Sequence, residues 1–419
     1  MALYQRKEGI ILREESFGGI AFLKEKAITL ELDPEGFYLL NSLGKASSIT
    51  SLKSDLKKTF HRSFLNSEIK EILNCFSREG FINKSNFSKL RHKDARKTAF
   101  ISKAALSAPE TVHLSITGQC NLNCPFCYGK NQDADLTTTQ LLALIDELSS
   151  LKVFQLAIGG GEPFLRKDIF EIIDYCQQKG IVANITTNGT LNLKEIAPKI
   201  KNKVGQVNLS YNECVNPERI KNSLNVLIQN NIKVGINLLV TKSLLLKLDK
   251  ILPALLKYKI TAITILRPKP GQNREWHHQN KLTKEELLKL KKILDQYHQI
   301  NVDCSLVCLM WGIPKSKLQE KAVYGCVAGI RFCTIKNNGD VFPCSFFNSE
   351  EFLAGNILTS SFKSIWRNAE TFKKFREISP NIKGNCGSCA IKEHCWGCRR
   401  IAWEAGSLYE EEKECPGVI

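Results

Sequence analysis

From residue 110 onwards, the chain alternates short apolar segments with amphipathic ones, and this alternation restricts the fold more than any other feature. Six segments have the length and composition of strands: VHLSIT, VFQLAI, IVANITT, QVNLSY, KVGINLLV and AITILRP. Helical stretches separate them, and two begin with capping signals, Thr137 with Gln140 and Asp168 with Glu171. Strands that alternate with helices form a parallel sheet with helices outside it. We therefore predict an α/β fold with fewer units than the eight of a complete β/α barrel.

The first 95 residues differ in pattern and are predicted to form a separate unit. The runs GIILRE, GIAFL and AITLEL have the composition of short strands, and PEGFYLLNSLG, SITSLKSDLKKTF and SEIKEILNCFSREGF have helical periodicity. Small strands with three helices predict a winged-helix-like fold. Seven Lys and Arg residues stand against one acidic residue between Lys84 and Lys103. We expect residues 96–109 to be a basic linker, followed by the α/β domain at 110–310 and an extension at 311–419.

Two loops that follow predicted strands carry residues suited to metal and ligand binding. The sequence GQCNLNCPFCY after the first strand contains Cys120, Cys124 and Cys127. A [4Fe–4S] cluster normally takes four cysteines, so three would leave one iron open, and an open position is a feature of catalytic metal sites. After the second strand come Gly160, Gly161, Glu162 and Pro163. Glycines allow backbone to approach a ligand closely, so this loop is a candidate binding site.

The CxxxCxxC spacing, with the aromatic Phe126 before its last cysteine, resembles the signature of radical S-adenosylmethionine (SAM) enzymes. The segment from Gly160 to Pro163 resembles the GGEP motif of the same family. The resemblance implies a partial, six-stranded barrel and a [4Fe–4S] cluster on Cys120, Cys124 and Cys127. In that family SAM binds the open iron, and its reductive cleavage yields a 5′-deoxyadenosyl radical that abstracts hydrogen from the substrate.

Further cofactor contacts are expected where later strands of the α/β domain end. Asn188 follows the third strand and Ser210 ends the fourth, and both are candidates for contacts with the ribose or carboxylate of SAM. Asn and Ser also cap ordinary turns, and that alternative stays open. Arg219 and Lys221 are the basic residues available near the fourth strand for the carboxylate of the cofactor.

The last hundred residues carry eight more cysteines, Cys326, Cys333, Cys344, Cys386, Cys389, Cys395, Cys398 and Cys415. Their spacing resembles the SPASM extension of radical SAM enzymes, which holds auxiliary iron–sulfur clusters. The resemblance implies one cluster on Cys326, Cys333, Cys344 and Cys398, and a second on Cys386, Cys389, Cys395 and Cys415. Eight ligands fill two cubes, so these clusters would relay electrons. A pair of structural zinc sites is the alternative, since CxxC pairs are usual zinc ligands.

The remaining cysteines and nearby acids have no assigned chemistry, and the catalytic acid or base is unknown from the sequence. Cys75 and Cys176 lie on predicted helix faces and are expected to be packing residues. Cys304 and Cys308 lie between the α/β domain and the extension, where either a packing function or a function as hydrogen donor or base near the substrate is possible. Asp303 and Glu213 are further acid–base candidates.

The first unit also has a family resemblance, carried by ILREESFGGIAF, ITLELDPEGFYLLNSLG and EGFI. These segments resemble the PqqD-like peptide-chaperone domain of pyrroloquinoline quinone biosynthesis. Such domains bind the leader of a ribosomally made precursor peptide, often as an added strand. A winged helix that binds DNA, or one without a ligand, is the alternative, since a fold does not determine a function.

Together the three parts predict a radical SAM oxidoreductase that modifies a precursor peptide, with flavodoxin or ferredoxin as electron donor. The alternatives are maturation of a small-molecule cofactor, of haem or of a sulfatase, and, from another class, a zinc protein that binds DNA. The net charge of +17 comes from lysines scattered along the chain, so we do not predict nucleic-acid binding. No apolar run could span a membrane and no signal-peptide core opens the chain. We therefore expect a cytoplasmic enzyme, in which sixteen cysteines indicate metal or redox chemistry.

Overall fold

The computed structural model describes residues 3–84, 105–129, 131–297, 299–314, 318, 323 and 325–417. The chain forms two compact units, Met1–Ser107 and Ala108–Ile419. Residues 85–104, which hold most of the basic stretch and much of the predicted linker at 96–109, lie outside the described residues. None of the described helices combines the length and apolar character needed to cross a membrane.

The first unit contains the predicted strands and three helices. In chain order they are β1 (Tyr4–Arg6), β2 (Ile10–Glu15), β3 (Gly18–Leu23), β4 (Ile28–Leu32), α1 (Pro34–Ser42), α2 (Ile49–Phe60), α3 (Asn66–Glu79) and β5 (Ile82–Lys84). Strands β2, β3 and β4 form an antiparallel sheet, and β1 pairs with β5. Side chains of the helices, among them Leu39, Leu73 and Phe76, fill the core against the sheet. Burial of these apolar side chains provides the main stabilisation.

A buried polar contact holds the end of the first unit. Arg13 and Glu15 on β2 form an ion pair of 2.7 Å with both side chains almost fully buried. The Glu15 carboxylate also accepts the backbone N–H of Ser107 at 2.7 Å and its hydroxyl at 3.1 Å. A buried carboxylate is tolerated because donors surround it. The contact ties the last residue of this unit to β2.

The second unit is built on one large sheet. Its strands are β6 (Thr111–Thr117), β7 (Gln155–Gly160), β8 (Val182–Thr187), β9 (Gln206–Tyr211), β10 (Val234–Leu239), β11 (Ala262–Leu266), β12 (Ile300–Val302), β13 (Phe332–Ile335), β14 (Asp340–Phe342) and β15 (Gly355–Asn356). The sheet order is β12-β11-β10-β9-β8-β7-β6-β13-β14-β15. All pairs from β12 to β13 are parallel, and β14 and β15 are antiparallel. The six predicted strands are β6 to β11, and the parallel sheet gains β12 and β13 at its two sides.

Helices connect the strands and complete the unit. Those of the α/β part are α4 (Thr138–Ser150), α5 (Ile169–Gln178), α6 (Leu193–Ile200), α7 (Pro217–Gln229), α8 (Lys242–Leu245), α9 (Leu248–Leu256), α10 (Arg274–Asn280) and α11 (Lys284–Leu294). The extension adds α12 (Phe362–Asn368), α13 (Glu370–Arg376), α14 (Ile378–Asn381), α15 (Gly384–Ser388) and α16 (Arg399–Glu404). Short 3₁₀ helices lie at Pro163–Leu165, Cys304–Met310 and Glu350–Phe352.

The order of the strands explains which face of the sheet is available for ligands. From β6 to β12 the spatial order follows the chain, so right-handed crossovers place the helices on the same face. Accordingly α4 contacts α5, α5 contacts α6, and α6 contacts α7. Residues such as Val112 and Leu114 are buried in the core on the helix-covered face. The alternate positions carry His113, Asn184 and Asn208, so the other face is polar.

The two predicted capping signals have different outcomes. Thr137 accepts the N–H of Gln140 at 3.3 Å and the Gln140 side chain accepts the N–H of Thr137 at 2.8 Å, which confirms the capping box of α4. Helix α5 begins after Asp168 as predicted, but the cap itself is wrong. The Asp168 carboxylate instead accepts Arg166 at 2.7 Å and the Thr138 hydroxyl at 2.5 Å. An arginine offers stronger, charge-assisted donors than helix N–H groups.

Candidate functional site

Three thiols lie in the loop between β6 and α4, near enough to one another to affect each other's pKa. A turn closes the loop, with the Cys127 N–H donating to the Cys124 carbonyl at 3.1 Å. Burial raises the pKa of Cys124 to about 12, and the neighbouring thiols of Cys214, Cys127 and Cys120 raise it further. Burial also raises the pKa of Cys120, with Glu162 and Cys127 adding to the effect. Burial disfavours the thiolate form of these cysteines in the absence of a cation. Iron ions would supply the positive charge that stabilises the thiolates, so the loop fits an iron centre.

Backbone hydrogen bonds join the loop after β7 to the cysteine loop. The N–H of Gly161 donates to Thr117 O, and the N–H of Glu162 donates to Gln119 O, both at 2.8 Å. A Cβ atom on residue 161 would lie 1.8 Å from Gln119 O. Gly160 has a φ of +108°, and a Cβ atom there would lie 2.6 Å from Thr117 O. The glycines of this motif therefore allow two loops to pack together, in addition to any approach to a ligand.

The Glu162 carboxylate is fully buried and positions the loop after β8. One oxygen accepts the Thr187 hydroxyl at 2.8 Å, and the other accepts the Asn188 N–H at 2.9 Å. Burial raises the pKa of Glu162, and these hydrogen bonds oppose the rise. A carboxylate with both oxygens engaged is a positioning group, a function that the sequence did not reveal. The neighbouring Pro163 begins a 3₁₀ helix.

Asn188 lies against the cysteine loop and also caps its own turn. Its Nδ2 donates to Asn121 Oδ1 at 2.9 Å and lies 3.9 Å from the Cys120 sulfur. Its Oδ1 accepts the Thr190 N–H at 2.9 Å, which is the turn-capping contact left open as an alternative. The turn-capping alternative is therefore confirmed, and the contact of Asn188 with SAM stays a prediction.

The other candidates near β9 are distributed differently. Ser210 is on the polar face of β9, in register with Asn237. Arg219 donates to the Thr190 carbonyl at 2.7 Å and so reaches the loop after β8. Lys221 forms an exposed ion pair of 2.5 Å with Glu218. Arg219 is thus nearer to the cysteine loop than its place in the sequence suggests.

Aromatic side chains and a lysine lie together beside Cys127, and the sequence did not predict this cluster. Phe126 packs against Trp276 with ring centroids 5.1 Å apart, and Tyr128 packs against Phe346 at 4.6 Å. The Lys269 ammonium lies 4.6 Å from the centroid of the Phe346 ring. Strands β11 and β12 end shortly before Lys269 and Asp303, and ligand sites of parallel sheets lie at carboxyl ends. Lys269 stands in the segment RPKPG just after a predicted strand, and this position could have identified it as a candidate site residue.

Lys269 forms a buried ion pair with Asp303. Burial lowers the pKa of Lys269, but the Asp303 carboxylate and the thiols of Cys304 and Cys398 outweigh it, so the pKa is raised. The lysine is therefore a permanent cation between the Cys127 loop and the C-terminal cysteines. It is suited to binding anionic groups or stabilising nearby thiolates, and unsuited to acting as a base at neutral pH.

The C-terminal cysteines form two groups. In the first, burial raises the pKa of Cys326 to about 12 and the thiols of Cys398 and Cys344 add to the rise. In the second, burial raises the pKa of Cys395, with Glu412, Cys415 and Cys386 adding to the rise. Cys389 is half-buried at the end of α15. Cys333 lies elsewhere, within β13.

Cys308 interacts with Cys415, a member of the second group of cysteines. A hydrogen bond from the Cys308 thiol lowers the pKa of Cys415 to about 7. Within the described residues, no three His, Cys, Asp or Glu side chains converge closely enough to hold a single metal ion. The cysteines around an iron–sulfur cube each bind a separate iron and do not share one coordination sphere.

Two buried arginines beside these groups fit clusters with anionic sulfurs. Arg267 is paired with Glu412, and both side chains are almost fully buried. In the part of the chain that the structure describes, Nε and Nη1 of Arg267 and Nε and Nη2 of Arg399 have no hydrogen-bond partner. Burial raises the pKa of Cys398 and of Cys386, and the cations of Arg267 and Arg399, respectively, oppose the rise. Buried donors are rarely left unpaired, so these N–H groups fit hydrogen bonds to cluster sulfurs.

Comparisons with known proteins agree with this geometry. A model of the radical SAM superfamily matches residues 114–241, and a model of the SPASM iron–sulfur cluster-binding domain matches residues 326–398. The chain is 29% identical to the AdoMet-dependent heme synthase of Methanosarcina barkeri, with 74% of this chain and 97% of that protein covered. It is 28% identical to the mycofactocin maturase MftC of Mycobacterium tuberculosis, with 70% of this chain and 78% of that protein covered.

The fold is also similar to a solved structure, that of Streptococcus suis SuiB bound to the precursor peptide SuiA. The TM-score is 0.73 at 20% identity, with 98% of this chain and 99% of that chain covered. The fold, the thiols of the β6 loop and the two sequence matches agree with one another. The chain therefore contains a radical SAM domain followed by a SPASM domain, and it is a radical SAM enzyme whose cofactors are [4Fe–4S] clusters and SAM.

Proposed function

We propose that this enzyme oxidatively modifies a ribosomally synthesised precursor peptide. The observation that carries the proposal is the structural similarity to SuiB, which extends over 98% of this chain and so includes the N-terminal unit. SuiB was solved with its precursor peptide bound. The sequence similarity to a mycofactocin maturase supports the same class of reaction.

In this proposal the residues of the β6 and β7 loops hold the SAM-cleaving centre. Cys120, Cys124 and Cys127 bind the cluster, and the cofactor is contacted by Phe126, Gly160, Gly161, Glu162, Pro163, Asn188 and Ser210. When bound, the cluster and SAM supply a 5′-deoxyadenosyl radical that removes a hydrogen atom from the substrate. Glu162 and Asn188 position the loops, and the Lys269 cation lies next to the aromatic side chains near Cys127. The sheet would curve as a partial barrel around its polar face, since helices cover only the other face.

The C-terminal cysteines would bind two auxiliary clusters that accept the second electron. One lies on Cys326, Cys344, Cys398 and a fourth ligand, for which the family resemblance offers Cys333. The other lies on Cys386, Cys389, Cys395 and Cys415. Flavodoxin or ferredoxin would reduce the enzyme in the cytoplasm.

The N-terminal unit would bind the leader of the peptide. The antiparallel sheet of β2, β3 and β4 packed on three helices supports a PqqD-like winged-helix domain at residues 1–95. A leader in extended form can add to the edge of such a sheet through backbone hydrogen bonds. The basic residues between Lys84 and Lys103 would attract an acidic leader.

The modification of haem or another small cofactor is the second candidate. It is supported by the similarity to the AdoMet-dependent heme synthase, which covers 97% of that protein. In this alternative, the Lys269 cation would bind a carboxylate of the substrate.

The test is an anaerobic assay of the reconstituted full-length protein with a reductant, SAM and the short peptide encoded beside the gene. We expect 5′-deoxyadenosine and a peptide lighter by a hydrogen pair in high-resolution mass spectrometry. Cys120→Ala should abolish both products, whereas Cys176→Ala, which changes a buried thiol on α5, should retain them. 5′-Deoxyadenosine with an unchanged peptide would contradict the proposal, and conversion of an iron porphyrin would then establish the second candidate.

A further inference from the structure

We propose that Cys304 is the fourth ligand of the first auxiliary cluster. The other three ligands are Cys326, Cys344 and Cys398. Cys333, which the family resemblance offers for this place, is instead a packing residue. The inference deepens the proposed function and rests on its auxiliary cluster, but it does not depend on which substrate the enzyme modifies.

The backbone of β13 directs Cys333 away from the other cysteines. In the sheet Cys333 is in register with Val112, and Thr334 is in register with His113. Val112 belongs to the aliphatic core on the helix-covered face, and Cys333 is fully buried in the same core. Successive strand residues point to opposite faces, so Cys333 lies on the helix side of the sheet.

Thr334 marks the face on which the cluster cysteines lie. Its hydroxyl is 2.9 Å from that of Ser345, which in turn lies 3.0 Å from Nδ1 of His113. Ser345 directly follows Cys344 in the chain. The segment with Cys344 therefore packs on the polar face of β13, and the sheet itself separates it from Cys333.

Cys304 lines a cavity that the backbone beside Cys326 also lines. It follows β12 at the carboxyl end of the strand and begins the 3₁₀ helix Cys304–Met310. Its thiol is accessible to solvent within a cavity of about 440 Å³, which Gly325 and Val327 on both sides of Cys326 also line. Cys304 and the backbone around Cys326 therefore face the same space.

A chain of contacts also connects the residue before Cys304 with the segment of Cys344. Asp303, the residue before Cys304, is paired with Lys269. The Lys269 ammonium is 4.6 Å from the centroid of the Phe346 ring, two residues beyond Cys344. The cation is thus shared between the segments that carry the two cysteines.

The electrostatic environment of the two thiols agrees with this placement. The thiol of Cys304 is solvent-accessible but densely surrounded by protein, and this desolvation raises its pKa; the thiols of Cys326 and Cys398 are among the groups that raise it further. Burial also raises the pKa of Cys333, but within the described residues the charged group that acts on it is Arg376, and no thiol does so. Burial raises the pKa of Cys304, Cys344 and Cys398, and Lys269 opposes the rise in all three. This lysine would stabilise the thiolates that an iron cluster needs.

The test counts iron in the full-length chain with the radical-generating cluster removed by Cys120→Ala, Cys124→Ala and Cys127→Ala. Two complete cubes give about eight irons per chain after anaerobic reconstitution. We expect Cys333→Ala to keep this content and the electron paramagnetic resonance (EPR) spectrum of the reduced clusters. Cys304→Ala should lose between about one and four irons, or show the signal of a three-iron cluster when oxidised.

A conservative variant separates ligation from folding. Cys304→Ser should retain iron with a shifted EPR spectrum, because a serine oxygen can replace the thiolate, and circular dichroism of each apo-protein reports its fold. The inference would be overturned if Cys333→Ala lost iron and Cys304→Ala kept it. It would also be overturned if both variants kept the full iron content, or if Cys308→Ala were the variant that lost iron. A parent chain that binds no auxiliary iron would instead contradict the proposed function itself.

Discussion

The pair of Arg267 and Glu412 shows how single residues connect the α/β domain to the C-terminal cysteines. Arg267 follows β11, and Glu412 also accepts the N–H of Cys398. Charges buried this deeply are costly to leave unpaired. The two residues therefore hold the cysteine segment against the end of the strand.

Replacement of Arg267 by methionine should destabilise the protein strongly. The variant keeps much of the side-chain volume but leaves Glu412 buried without its cation, and we expect the free energy of unfolding to fall by about 3–5 kcal/mol. Denaturation of the apo-protein by urea measures this change. Lys221→Met, which breaks the exposed pair with Glu218, is the matched control and should change the free energy of unfolding far less, because solvent screens exposed ion pairs. Equal losses of unfolding free energy in the two variants would show that the buried pair stabilises the protein no more than the exposed pair does.

At the scale of elements, helix α4 is the one that carries the chain away from the cysteine loop. Its first turn is closed by the reciprocal bonds of Thr137 and Gln140. Leu141, Leu144, Ile145 and Leu148 of this helix are buried in the core. The start of α4 therefore limits where the cysteine loop can end.

Loss of the capping hydroxyl should have a moderate, defined cost. Thr137→Ala removes the acceptor of the Gln140 N–H and should lower the free energy of unfolding by about 1 kcal/mol. Thr137→Ser restores a hydroxyl and should recover most of that loss. The unfolding midpoints of the three proteins in urea test this prediction, and a serine variant as unstable as the alanine variant would argue against capping as the cause.

At the scale of the whole second unit, one sheet joins the radical SAM and SPASM parts. Strand β13 pairs with β6, the strand before the cysteine loop. The His113 ring on β6 reaches Ser345 beside Cys344. A half-buried histidine at this junction should make the stability of the unit depend on pH.

The pH dependence has a predicted sign. Burial lowers the pKa of His113 from 6.5 to about 4, so the folded chain keeps the ring neutral while the unfolded chain takes up a proton below 6.5. Stability should therefore fall as the pH drops from about 6.5 to about 4, by at most about 3 kcal/mol from this residue. The His113→Gln variant should lose less stability than the parent protein over this pH range, as measured by thermal unfolding. An unchanged pH profile in that variant would exclude His113 as the cause.

Much of the fold and part of the site could be predicted from sequence patterns. The six strands β6 to β11, the capping box of α4 and the position of Cys120, Cys124 and Cys127 in one loop after β6 follow from local periodicity and spacing, because neighbours in sequence determine them. The cap predicted at Asp168 failed, since Arg166 and Thr138 compete for its carboxylate. The positioning function of Glu162 was also missed, because its partners are on the next strand.

The sequence by itself therefore determined the class of the protein: the alternating strands and helices, the two sets of cysteines and the open position that three cysteines leave on a cluster. These features depend on spacing along the chain, which short-range geometry controls. Only the tertiary structure decided which distant residues share a face, such as Cys304 with the segment of Cys326, and which face Cys333 takes. The spacing of residues along the chain cannot show this. Adjacent residues of a strand point to opposite sides of the sheet, and the pairing of distant strands determines which residues pack on each side.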